Sequence, residues 1–150
     1  MKTLYYFISC ALFILSGCNT KENSNQEAIG MLNEFYRNYS VNSFKIEDKP
    51  KLDALIEKYC TEELQQEAKK FYNMGFDLLT DEWGIEEQDL NSLKITKSLL
   101  KDETYIVSYT TDTYPVSPNI AVRRKITLNV GVIQEDGTYK INSVKAVDMQ

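Results

Sequence analysis

The sequence predicts an α+β domain, with N-terminal helices packed on a curved antiparallel sheet of about four strands. Three observations predict it. Apolar residues repeat at helical spacing from Ala28 to about Gly75. From Leu93 onward, β-branched and aromatic residues alternate with a two-residue period. Asp136-Gly137 sits between two of those alternating runs, where a tight hairpin turn belongs. Helices first, then strands joined by short turns, is the order of an α+β fold.

The first helix is read from Ala28, Leu32, Phe35, Tyr36 and Tyr39, which share one face. The second follows Pro50 and carries Leu52, Leu55, Ile56 and Tyr59; proline suits a first helical turn. Thr61 is the expected cap of a third helix, with Glu62 and Glu63 favoured by the positive end of its dipole. Leu64, Ala68, Phe71, Tyr72 and Gly75 mark that helix's inner face, and Gly75 its stop.

Leu93 and Ile95 open the first strand, and Tyr105, Val107 and Tyr109 share a face of the second. Pro115 and Pro118 place a loop after it. Val122, Ile126, Leu128, Val130 and Val132 line a long third strand, with Gly131 a bulge or kink site. Arg124 falls on its apolar parity. It pairs with a loop carboxylate, or the strand bulges there, or the strand starts beyond it; edge protection by charge is the plainer reading. Tyr139 and Ile141 open the fourth strand.

The first residues are not domain material. Lys2 precedes Leu4 to Leu15, an uncharged run of signal-peptide length, short of the roughly 18 residues a spanning helix needs. The run ends in Leu15-Ser16-Gly17-Cys18. That tetrapeptide resembles the bacterial lipoprotein signal. The resemblance implies cleavage after Gly17 and a diacylglyceryl group on the Cys18 sulfur. Residues 1–17 are then a signal peptide, 18–26 an acylated cysteine and tether, and 27–150 a single domain. Each buried methylene contributes about 0.8 kcal/mol, and one acyl chain holds only marginally, so two or three on one cysteine anchor durably. The polar stretch 19–26 reads as a flexible tether of roughly 15 Å. The partner implied is the membrane, through the N-terminal lipid. The expected location is the bacterial cell envelope, at the outer membrane on its periplasmic face or the cell surface. Asn19 is not the aspartate that often retains such proteins at the inner membrane, and Lys21-Glu22 resembles surface-export signals of some Gram-negative lipoproteins.

Cleavage removes 17 residues and one charge, leaving 16 basic against 22 acidic side chains. That balance argues against nucleic acid and against a polybasic lipid-binding surface. The chain has no histidine, which excludes histidine triads and most zinc sites. No cofactor or metal is implied. Cys10 leaves with the signal and Cys18 is consumed by lipid. Cys60 is then either a buried small hydrophobe, the better reading, or a reactive thiol.

The segment 76–89 holds Asp77, Asp81, Glu82, Glu86, Glu87 and Asp89 with no base among them. Counted from Asp77 as an EF-hand, the third position is Leu79 and the sixth Glu82, so the calcium pattern fails. A solvated acidic surface with Trp83 as an anchor into the core is the expectation. Asp77, between Phe76 and Leu78, is the candidate acid or base, since apolar company raises a carboxyl's pKa. A turn or cap role is the plainer reading of it. Tyr36, Tyr72 and Tyr109, together with Trp83, are candidate ligand-binding residues beside it, with ordinary core packing the alternative.

Phe35-Tyr36-x-x-Tyr39, then Leu55 to Leu64 (LIEKYCTEEL), an acidic loop and Leu90 to Ile95 (LNSLKI) resemble an uncharacterised family of bacterial lipoproteins. The resemblance runs from about Ala28 to Val147 and centres on Tyr59-Cys60-Thr61. It implies a nuclear-transport-factor-2/cystatin-like fold, a sheet wrapped round the long helix with a pocket at one end. It carries no activity. The function expected is a lipid-anchored small-ligand or protein binding module. Two alternatives stand beside it: a small pocket hydrolase or isomerase using Asp77, and an immunity-like inhibitor of an envelope-targeting effector.

Overall fold

The computed structural model describes residues 4–42, 49–81, 85–113 and 122–147, with side chains from residue 21 onward except 41, 42 and 113. Trp83, Tyr114, Pro115 and Pro118 lie outside the described residues, as does the Cys18 side chain. The elements are α1 (Leu4–Asn42), α2 (Lys49–Tyr59), α3 (Glu62–Asn73), a 3-10 helix (Glu87–Ser92), β1 (Lys94–Lys97), β2 (Thr104–Thr113), β3 (Val122–Glu135) and β4 (Thr138–Ala146). The strands form one antiparallel sheet in the order β1-β2-β3-β4, and the class is α+β.

Helix α1 is the second layer. Ala28, Leu32, Phe35, Tyr36 and Tyr39, the residues picked out by spacing, are all buried. They belong to one core with Tyr105, Val107 and Tyr109 of β2, Ile126, Leu128, Val130 and Val132 of β3, and Ile141 and Val144 of β4. The alternation along β2 and β3 thus sends one face of each strand toward the helices, as a half-buried sheet requires. The helix is longer than its apolar face. Residues 19–26, read from their polarity as an irregular tether, are helical within α1. Part of the segment also meets the sheet: Tyr105 Oη of β2 donates to Asn25 Oδ1 at 3.3 Å, and at the surface Lys21 lies 3.7 Å from Asp102. Polarity hid this docking, because the contacts are polar.

Tyr59-Cys60-Thr61 joins α2 to α3 and locks both to the sheet. Cys60 makes a parallel bridge to Ile141, and Thr61 N–H donates to the Ile141 carbonyl at 2.9 Å. Thr61 is the N-cap of α3, its Oγ1 accepting from Leu64 N–H. Lys140 Nζ reaches back from β4 to the last carbonyls of α2, at Glu57 (3.1 Å) and Lys58 (2.6 Å). Cys60 is buried, and burial pushes its thiol up to about 12, which fits a small hydrophobe.

Helix α3 ends in a Schellman motif. Phe76 N–H donates to Phe71 C=O and Gly75 N–H to Tyr72 C=O, with Gly75 at φ 80°. The Phe71 and Phe76 rings sit 5.8 Å apart across the motif. The expected inner face of α3 stops earlier than the spacing indicated. Leu64 and Ala68 are buried, but Tyr72 is 58 % exposed, because the helix runs past the edge of the core there.

The β3–β4 hairpin turns on Asp136 and Gly137, both at positive φ (49° and 78°), as a two-residue turn of the primed type demands. The bulge falls where Gly131 indicated, but the extra residue is on β4. Gly131 faces Ser143 and Val132 faces Ile141, which leaves Asn142 unpaired. A Cβ at position 131 would collide with the Asn142 and Ser143 side chains. At the other end of β3, residues 122–125 are exposed, so Arg124 sits on a strand that starts before the core begins.

Candidate functional site

The segment after α3 is held by three tyrosines from two different elements. Tyr39 Oη of α1 donates to Asp77 Oδ2 at 3.0 Å. Tyr36 Oη, one helical turn earlier, donates to the Leu79 carbonyl at 3.2 Å. Tyr109 Oη, from β2 across the core, donates to the Thr80 carbonyl. Asp77 closes the turn from within. Its Oδ1 accepts from Leu79 N–H at 2.9 Å and its carbonyl accepts from Asp81 N–H at 2.9 Å, with Asp81 in the left-handed region at φ 60°.

The electrostatics follow from burial. As a whole residue Asp77 is half-buried, but its carboxyl is largely shielded, and burial raises its pKa above the usual carboxylate range. Hydrogen bonds from Tyr39 and from the Leu79 and Thr80 backbone oppose that rise without cancelling it. The Thr80 hydroxyl also acts to hold the carboxyl down, yet its Oγ1 is buried and meets no partner at hydrogen-bond geometry. Burial raises the Tyr36 and Tyr39 phenols well above their ordinary value, and Asp77 adds to the rise in each. The phenols therefore stay neutral donors throughout the physiological range.

Asp77, Tyr36 and Tyr109 thus lie together, and Tyr72 does not join them. Tyr72 is on the outside of α3, with Lys49 Nζ 5.6 Å from its ring centroid. Sequence reasoning passed over Tyr39, whose hydroxyl donates to the Asp77 carboxylate. The signal was present, since Tyr36 and Tyr39 are three apart on one helical face.

The rest of the acidic segment is also more structural than its composition indicated. Asp89 is buried, and its Oδ2 accepts from Glu86 N–H at 3.2 Å in a reciprocal capping box at the start of the 3-10 helix. Ser92 fastens that helix to β2, its Oγ donating to the Asp89 carbonyl at 2.7 Å and accepting from Thr110 N–H at 2.8 Å. The expectation of a solvated acidic surface holds for Glu86 and Glu87 and is wrong for Asp77 and Asp89. Two of the carboxylates are spent on backbone donors that would otherwise be left unpaired. Among the described residues, no three Cys, Asp or Glu side chains gather as a metal ion would require.

With this geometry in place, the chain can be set against known proteins. Its fold is shared. It is similar to the crystal structure of a protein of unknown function from Bacteroides thetaiotaomicron, with a TM-score of 0.74 and 24 % identity over 88 % of this chain and 98 % of that one. No protein-family model matches the chain, and no curated protein matches it. The likeness is one of fold, and fold alone leaves chemistry open.

Proposed function

We propose that this chain is a lipid-anchored protein of the bacterial cell envelope, at the outer membrane, whose body is a binding module for a small ligand or a partner protein. One observation carries the anchoring: Leu15-Ser16-Gly17-Cys18 follows directly on a short uncharged apolar run. Among the described residues, no helix is long and apolar enough to cross a membrane, which is compatible with attachment through lipid. The docking of residues 21–25 against β2 and the turn before it would keep the body close to such an anchor. The family resemblance, with its nuclear-transport-factor-2/cystatin-like fold, belongs to the same proposal. Binding is preferred over catalysis because both oxygens of Asp77, the best candidate acid or base, already accept from protein donors.

The test is mass spectrometry of the protein extracted from native membranes, beside a Cys18→Ser variant. The expected result is a mass lacking residues 1–17 and gaining acyl chains on Cys18, with the variant lost from the membrane fraction. An unacylated wild-type mass overturns the proposal. Ligand or partner recovered with the acylated protein identifies what the module binds.

A further inference from the structure

The β1–β2 hairpin tip is the most exposed apolar feature among the described residues. Leu99 is 99 % exposed and Leu100 95 %, and they are adjacent. A turn of polar residues would be the ordinary solution there. The tip is also held in shape. Ser98 Oγ accepts from Leu100 N–H (3.2 Å) and Lys101 N–H (3.3 Å), and Ser98 N–H donates to the Thr104 carbonyl at 2.9 Å. Glu103 takes φ 56°, and its carbonyl accepts from Val132 N–H of β3 at 2.8 Å. The leucines are therefore presented outward by an ordered turn.

Their place in the fold says what covers them. Lys21 of α1 pairs with Asp102 of this same turn at 3.7 Å. Cys18 is three residues upstream of Lys21, so even fully extended chain puts it within about 11 Å of that residue. Lipid on Cys18 would bring a bilayer to this end of the molecule. The opposite end of β2, at Asp112, pairs with Arg123 at the far end of the sheet.

We infer that Leu99 and Leu100 dip into the bilayer beside the Cys18 lipid, so that the protein is held at two points and in one orientation. The inference rests on the anchoring proposed above. Lys101, exposed beside the leucines, is placed to meet lipid phosphates, whereas Lys97 is half-buried with its ammonium 4.5 Å from the Tyr105 ring centroid. Asp102, Glu103, Glu135 and Asp136 are exposed at the same end, and the cost of dehydrating their carboxylates keeps insertion shallow. A second point fixes which surface faces away from the membrane.

The experiment uses the acylated mature protein beginning at Cys18, with acylation established by mass, on vesicles of phosphatidylethanolamine with minor phosphatidylglycerol. An environment-sensitive dye is placed on Lys101→Cys or on Asp112→Cys; Cys60 is buried and does not compete. Position 101 is expected to shift to the blue and to be quenched by brominated lipid several-fold more than position 112. Leu99→Ser with Leu100→Ser should abolish that difference. Acylated protein with position 101 in water overturns the inference and leaves the anchoring standing. An unacylated mass overturns both. Insertion that survives the double serine variant, or burial of the tip in a second copy without vesicles, also overturns it.

Discussion

The Asp77–Asp81 turn and the β1–β2 hairpin tip break the usual inside-outside rule in opposite directions. The first brings a carboxylate and three phenols out of water. The second holds two leucines in it. The difference lies in what each group is given to contact. Every buried oxygen of the Asp77 carboxylate has a protein donor, and the three tyrosine hydroxyls have acceptors. A buried polar group so satisfied has a complete structural explanation. Leu99 and Leu100 touch no core and have none. The unexplained surface is therefore at the hairpin, although the conspicuous residue types are in the turn.

That comparison can be broken from either side. The largest effect is expected at Asp77. Asp77→Ala strands Leu79 N–H and the Tyr39 hydroxyl together and should cost about 2–3 kcal/mol, read from denaturant unfolding. A loss below about 0.5 kcal/mol would mean the turn is not held as described. Tyr36→Phe and Tyr109→Phe each leave one buried carbonyl without its donor, and each should cost about 1 kcal/mol.

The pH dependence sharpens the same point. Burial raises the folded pKa of Asp77, so the folded state disfavours ionisation relative to the unfolded chain. Its contribution to stability is full below the unfolded value, near 4, and is lost as pH rises through the raised folded value. Asp77→Asn keeps an acceptor for Leu79 N–H and removes the titration. The variant should therefore gain on wild type as pH climbs from about 4 toward neutrality, and denaturant midpoints across that range measure it. A constant difference would show that the carboxyl titrates as in water.

The smallest effect belongs to the hairpin. Leu99→Ser with Leu100→Ser should change stability in solution by no more than about 0.5 kcal/mol, because neither side chain is packed. A loss of 2 kcal/mol would return these leucines to the core and remove the contrast.

Much of the fold was legible in the sequence where one physical rule acts locally. The face of α1, the Thr61 cap, the Gly75 stop and the Asp136-Gly137 turn each depend on a few neighbouring residues. Errors came where distant elements decide. Tyr72 keeps helical phase with Ala68 yet lies outside, because phase does not tell where the sheet ends. Residues 19–26 look like tether, because their partners, Asp102 and Tyr105, are about eighty positions away. In the candidate site, Asp77 and its apolar neighbours were visible. The meeting of Tyr36, Tyr39 and Tyr109 around its turn was not, since it joins α1 to β2 through a segment between them.

By itself the sequence determined the α+β class, the order of the elements and the faces they bury, since periodicity and turn chemistry act over short spans of chain. Only the tertiary structure decided that two carboxylates of an acidic stretch turn inward to satisfy backbone donors. It alone put the Leu99-Leu100 tip beside the start of the folded body. Both outcomes depend on which distant groups come within a few ångströms of each other, and no local pattern encodes that distance.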